Sequence, residues 1–582
     1  MISRTKQWLR ERHSAFCRSP FGCLVELFLS RMLNGAGDTE AGELDLGVGV
    51  ILILLAMPGL LVSLLMFEKY GSLIRFLRGE RAFDPFKAAT PDEYLFIVLS
   101  VAVTGAAALW RWDTIFLDRR DYSNLVPLPL SLRAIFFANL CALLALTGVL
   151  TIVANGASVV LFPIAVVGSR PSLSLFLRFA AGHAAAVFAA SVFSFFAIFA
   201  LAGGLTALVP PTAFRRVSLS IRFVSAVTLL ILLATSFTVP DLLKRLSISN
   251  AHRVAVLPPV SFLGVARTVW VGANDAFSSS MAGAAMIAVG VSLLTATVAY
   301  AFSFRRSFIR LPELADARPM TRISSLWSRP AFSQKLAFRS PAHRACCQFV
   351  SRSLLRSTAH LQTLLCFLAV GLVISAEMFA AGSDHFSAGK NTVPPVEFLS
   401  VPFILGYCIL VGIRFAFEIP LDLRANWIFR LWLDSDRHDA RSVARRVLLA
   451  FSLSWMAPLV LLVTLAFWGW MTALLHTAIW CACMLVLVEI LLIRFRKMPF
   501  TCPYPSFQSH SPLIAVGYLF GFYIFKSWLP DLDQWTVWIP INAVWIVALL
   551  GSVLAGLTWY RNQMLDMDKR LTFEDVSRTT FW

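Results

Sequence analysis

Five ionisable side chains lie within long apolar stretches of this chain: His183, Arg414, His476, Glu489 and Lys526. A charge at the centre of a membrane helix costs about 2.5–3.5 kcal/mol on insertion scales, so such residues mark ion or substrate paths unless something simpler explains them. Most of the five fall within a turn or two of the end of their stretch, where a long side chain reaches back to the interface. Glu489 is one to two turns from Arg494 and Arg496, its expected partners. His183 lies about two turns in, where a neutral imidazole hydrogen-bonded among packed helices accounts for it. No chain of Asp, Glu and His that would relay protons is evident.

Other chemistry is sparse. No G-x-x-x-x-G-K-[ST] loop is present to cradle a nucleotide. The nearest string, "GSDHFSAGKNT" at 382–392, spaces its glycines too widely and follows its lysine with Asn391. Nor is there a G-x-S-x-G, H-E-x-x-H or G-x-G-x-x-G. The histidines are scattered, and Cys346-Cys347 and Cys481-x-Cys483 lack the spacing of a zinc site. No catalytic residue, metal or cofactor is expected, and any ATP hydrolysis belongs to another subunit. No cysteine falls in a loop expected outside, which argues against a disulfide framework.

The elements that must hold these residues are membrane helices. The 582 residues are 58% hydrophobic and 14% charged, whereas a soluble chain carries about 25% charged residues. With about 20 apolar residues needed per crossing, the expected fold is all-α and polytopic, with about twelve spans. They lie near 48–67, 93–110, 134–154, 176–200, 219–239, 281–302, 360–381, 396–417, 447–470, 473–493, 511–529 and 537–559. The stretch 155–175 either extends the third span or re-enters the membrane. The net charge of +18 follows the positive-inside rule and needs no nucleic acid to explain it. Of the 51 Lys and Arg, 36 fall on the side of the amino terminus and 11 on the other. Both termini are therefore expected in the cytoplasm, with the chain in a bacterial inner membrane. The discordant segment is 68–92, whose five basic residues are offset by Glu68, Glu80, Asp84, Asp92 and Glu93. The start of the chain is basic with no apolar run behind it, so no cleavable signal peptide is expected.

The chain reads as a duplication. "SPFGCLVELFLSRML" (19–33) and "SPAHRACCQFVSRSL" (340–354) share Ser, Pro, Phe, Ser, Arg and Leu without gaps. Ser19 and Ser340 suit a helix cap, and Pro20 and Pro341 the first helical position. Phe21, Leu24, Val25, Phe28 and Met32 fall on one face, the pattern of an amphipathic helix at a membrane surface. "DRRD" (118–121) after the second span is echoed by "DRHD" (436–439) after the eighth, and "VPDL" (239–242) by "LPDL" (529–532). The expected organisation is a cytoplasmic amphipathic-helix region (1–47), a six-span half (48–302), a cytoplasmic linker with a second amphipathic helix (303–359), another six-span half (360–559) and a cytoplasmic tail (560–582).

The segment "DRRDYSNLVPLPLSLRAIFFANL" joins the second and third spans. Pro127 and Pro129 orient the chain, and Ser131 is placed to cap the next helix. This segment resembles the loop of type-2 ABC exporter permeases that reads D-R-x-x…L…L-P-[ILV]-S-x-R. "LPPVSFLGVARTVWVG" (257–272), in the outer segment before span six, is similar to an L-P-P-x-x-F-x-G stretch in some bacterial members. The resemblance implies six spans per unit, no resident cofactor, and a coupling helix docked on a separate cytoplasmic ABC ATPase. The implied contacts are Asp118, Arg119, Arg120, Asp121, Leu128, Pro129, Ser131 and Arg133. The second half departs: its loop, with Arg424, Arg430, Asp436, Arg437 and Asp439, has no L-P-x-S, and its outer loop (530–536) is short. Weaker coupling is expected there. The expected partners are thus ABC ATPase subunits and the bilayer. The alternatives are a secondary transporter of 6+6 layout and a membrane enzyme or assembly protein without transport. The Phe-, Leu- and Ala-rich spans lean toward an apolar or amphipathic cargo such as a lipid or peptide.

Overall fold

The computed structural model describes residues 19–34, 41–70, 85–112, 124–125, 127–167, 172–237, 258–270, 272, 276–310, 341–382, 393–419, 421, 437–493, 495, 497–501 and 511–567. The described residues form helices and connecting turns, with no strand among them. That is what lipid demands of a spanning chain, because a helix bonds its own backbone groups. The chain divides into two compact units, Met1–Arg318 and Pro319–Trp582.

The first unit opens with α1 (Pro20–Asn34). Ser19 Oγ accepts the Gly22 N–H at 3.0 Å, as an N-cap should. Leu24, Phe28 and Met32 are buried on the face that the sequence pattern marks. Next come α2 (Ala41–Tyr70), α3 (Pro85–Trp110) and α4 (Leu132–Val167). They are followed by α5 (Leu173–Leu208), α6 (Pro211–Ala234), α7 (Pro258–Trp270) and α8 (Ala276–Arg310). α1 lies against α4, and Arg111 Nη2, just past α3, donates to the Leu33 carbonyl at the end of α1. α4 runs unbroken through 155–167, so this part of the ambiguous stretch extends the third span. At 36 residues it is about 54 Å long.

Close packing follows small residues, since helices in lipid gain little from hydrophobic association. A Cβ on Gly182 of α5 would stand 2.6 Å from the Ala266 carbonyl of α7, and one on Gly59 of α2 would stand 2.6 Å from the Ala154 carbonyl of α4. α7 falls in the segment read as an outer loop. It is a helix, and it packs against α3, α5 and α8 with Phe262 and Ala266 fully buried.

The second unit comprises α9 (Pro341–Arg356), α10 (Thr358–Gly382), α11 (Val396–Ala416), α12 (Arg437–Trp468) and α13 (Trp470–Leu491). α14 (Ser511–Tyr523) passes through a π-helical turn, Ile524–Trp528, into α15 (Leu529–Trp538), and α16 (Ile541–Met567) follows. Gly469 separates α12 from α13 at φ 96°, a conformation open to glycine and strained for other residues. α9 packs on α12, burying Cys346, Cys347, Val350 and Leu354. The expected short outer loop at 530–536 is instead helical: α15 packs against α11, α13 and α16.

Among the described residues ten helices are long and apolar enough to cross a bilayer: α3 to α6, α8, α10 to α13 and α16. Large apolar side chains such as Ile287, Leu294, Val544 and Trp545 are exposed on them. The protein is an all-α polytopic integral membrane protein.

Candidate functional site

The loop before α4 is described in part. Asp118, Arg119, Arg120 and Asp121 lie outside the described residues. Leu128, Pro129, Ser131 and Arg133 are brought together on an exposed turn. Leu125 anchors that turn in the core shared by α1, α3 and α4. The Leu128 N–H bonds the Leu125 carbonyl at 3.2 Å, and Ser131 Oγ accepts the Ala134 N–H at 3.2 Å. Ser131 thus caps α4, and the turn is joined to that helix without an intervening loop. In the second unit Arg424, Arg430 and Asp436 lie outside the described residues, while Arg437 and Asp439 fall in the first turn of α12.

Of the in-membrane residues, His183 departs from expectation. His183 is completely buried, yet among the described residues neither ring nitrogen has a hydrogen-bond partner, so the expected hydrogen-bonded imidazole is corrected. Its Nδ1 stands 3.9 Å from Oε1 of Glu93 on α3, and its ring packs edge-on to Phe96 at 5.4 Å. Glu93 and Asp92, assigned in the sequence to offset the charge of a loop, are buried within α3. Asp92 is held by Lys69 Nζ at 2.6 and 2.7 Å and by the Tyr70 hydroxyl.

His476, on α13, is hydrogen-bonded through Nδ1 to Oδ2 of Asp533 on α15, and both are buried. Its ring is edge-on to Phe403 of α11 at 6.0 Å. Two histidine–carboxylate pairs therefore exist where the sequence showed no Asp/Glu/His chain.

Glu489 closes the opposite end of α13. Arg445 Nε is 2.6 Å from Oε1, while Arg561 Nη1 and Arg441 Nη2 are 3.1 and 3.3 Å from Oε2. Its partners thus come from α12 and α16. The expected partners, Arg494 and Arg496, lie outside the described residues. Arg414 donates from Nε to the Leu491 carbonyl at 3.2 Å and pairs with Glu418, which Lys497 also holds. Burial alone would raise the Glu418 carboxyl, but Arg414 and Lys497 together bring it below the ordinary range. Lys526 lies half-buried on the π-helical turn.

A further polar cluster links α3, α4 and α5. Asn155 Nδ2 donates to Ser191 Oγ at 2.9 Å, and Asn155 Oδ1 accepts from Ser100. Three residue classes escaped the sequence reading: Glu93 and Asp533 at the edges of spans, Arg441, Arg445 and Arg561 at the ends of others, and neutral Asn155. Asp533 had a local signal, one residue past the "LPDL" echo. The described residues hold no group of three or more His, Cys, Asp or Glu suited to a metal ion. No known protein family, curated protein or solved structure matches this chain.

Proposed function

We propose that this chain is the membrane-embedded permease of an ATP-driven exporter of the type-2 ABC class. In this reading it has twelve spans in two six-span units and sits in a bacterial inner membrane with both termini in the cytoplasm. The observation that carries the reading is one packing arrangement that recurs. In Met1–Arg318 an amphipathic helix, α1, lies against α4, and a short helix, α7, is wedged among α3, α5 and α8. In Pro319–Trp582, α9 lies against α12, and α15 is wedged among α11, α13 and α16. With α2 as the first span and α14 with its π-helical turn as the eleventh, these are the third span and the second, fourth and sixth spans of each unit.

The chain carries no nucleotide-binding loop, so its engine is a separate cytoplasmic ATPase docked on 118–133. The exposed turn of Leu128, Pro129, Ser131 and Arg133 supports this role. A push there reaches α4 directly, because Ser131 caps that helix and Leu125 ties the turn to α1. The second loop, with Arg424, Arg430, Asp436, Arg437 and Asp439, docks more weakly. A groove of about 680 Å³ between α5 and α8, lined by Phe193, Leu201, Leu208 and Val291, favours an apolar or amphipathic cargo.

The test is co-purification of an ABC ATPase from the host membrane, using the unaltered chain and the Arg119→Glu and Arg133→Glu variants. Recovery of the ATPase falls several-fold with the variants. Equal recovery from all three proteins rejects docking through this loop. A second reading, a secondary transporter of 6+6 layout, is favoured by the buried histidine–carboxylate pairs. Transport that follows a proton gradient and continues without any ATPase would select it.

A further inference from the structure

Among the described residues each unit buries one histidine–carboxylate pair, and the two pairs differ. In Pro319–Trp582 the hydrogen bond between His476 and Asp533 is made. In Met1–Arg318 the carboxylate comes from the second-span helix α3, not from the short helix, and the bond is open: His183 Nδ1 and Glu93 Oε1 face each other at 3.9 Å. Among the described residues neither atom has a hydrogen-bond partner, and both side chains are shielded from water. In each unit the histidine is on the helix in fourth-span position and meets a phenylalanine of the second-span helix, Phe96 or Phe403.

Buried polar groups of this kind are rarely left unpaired, and each instance calls for an explanation. A carboxylate beside a neutral imidazole carries one negative charge, which a low-dielectric surrounding disfavours. One added proton makes the pair neutral and supplies an O–H on Oε1 directed at Nδ1. We propose that Glu93 and His183 form a proton-binding site within the first unit. The site takes one proton from water, shares it between Oε1 and Nδ1, and returns it to water when the pair reopens.

From α7, Arg267 interacts electrostatically with Glu93, and its Nη2 is bonded to Thr90 Oγ1 at 2.9 Å. On α3, Asp92 is held by Lys69 and Tyr70 of α2. α4 presents the uncharged ring of Phe162, 5.0 Å from the imidazole. A displacement of α7 relative to α3 would therefore move Arg267 and change the affinity for the proton. The site stands whether ATP or an ion gradient drives transport.

Infrared titration of the purified full chain in detergent tests this directly, with carbon-13 glutamate separating glutamic from aspartic carboxyls. The unaltered chain gives a glutamate-sensitive carbonyl band, at the high frequency of a carboxyl shielded from water, that grows as the pH falls. Glu93→Gln removes the band and Asp533→Asn retains it. His183→Gln moves its midpoint by about one pH unit or more. A band unchanged in Glu93→Gln, or a midpoint unmoved in His183→Gln, overturns the proposal. So does a labelled, unaltered chain with no such band while it remains monodisperse, a result that does not depend on any variant folding.

Discussion

Asp533, on a short helix after the eleventh apolar stretch, is hydrogen-bonded through Oδ2 to Nδ1 of His476 on α13, with both side chains buried. The bond ties α15 to α13, and Gln534 Nε2 adds a second tie by donating to the Pro394 carbonyl before α11 at 2.9 Å. This short helix is held in the bundle by polar anchors as well as by packing.

Breaking that anchor is costly, because the remaining group is left buried and alone. Asp533→Ala is expected to destabilise the protein by about 3–5 kcal/mol, read as a lower midpoint in thermal unfolding of the detergent-solubilised chain. The double variant with His476→Ala should lose much less than the sum of the two single losses. Strictly additive losses would show that the two residues do not interact.

Glu489 answers three arginines, so its removal and theirs are unequal. Glu489→Gln removes a counter-charge shared by Arg441, only 4% exposed, and Arg445. An expected loss of about 3–5 kcal/mol follows. Arg561→Gln removes one of three cations, the other two remain, and the expected loss is about 1 kcal/mol or less. Limited proteolysis across a temperature series compares the two. Equal sensitivity would contradict the network as described.

Glu418 gives the protein an acid-sensitive contact outside the spans. Arg414 and Lys497 hold its carboxyl below the ordinary range in the folded chain. Its contribution is therefore fully present above the unfolded carboxyl value and is lost as the pH falls through the folded value. Unfolding midpoints should decline toward acid pH less steeply for Glu418→Gln than for the unaltered chain. Parallel declines would remove Glu418 from the account of acid sensitivity.

Local features were legible in the sequence because their causes lie within a few residues. Ser19 and Ser131 cap the helices they precede, and Leu24, Phe28 and Met32 are buried on the face their spacing marks. Apolar runs of about 20 residues declared the membrane helices, since a helix of that length crosses lipid while bonding its own backbone groups. Two segments read as outer loops, at 258–270 and 530–536, are helical. Their short lengths and mixed polarity hide a role that comes from neighbouring spans.

The candidate site was legible only in fragments. His183 and His476 stood out as ionisable residues in apolar surroundings, but their carboxylates did not. Glu93 sat at the edge of a charged segment and Asp533 in a stretch that looked like a turn, where either is ordinary. The sequence by itself determined the class of protein, its apolar elements and the caps that begin them, all set by composition and by contacts along the chain. The tertiary structure alone decided which carboxylate meets which histidine and which arginines surround Glu489. Those pairings join residues far apart in the chain, and they form only when packed helices exclude water and bring the partners together.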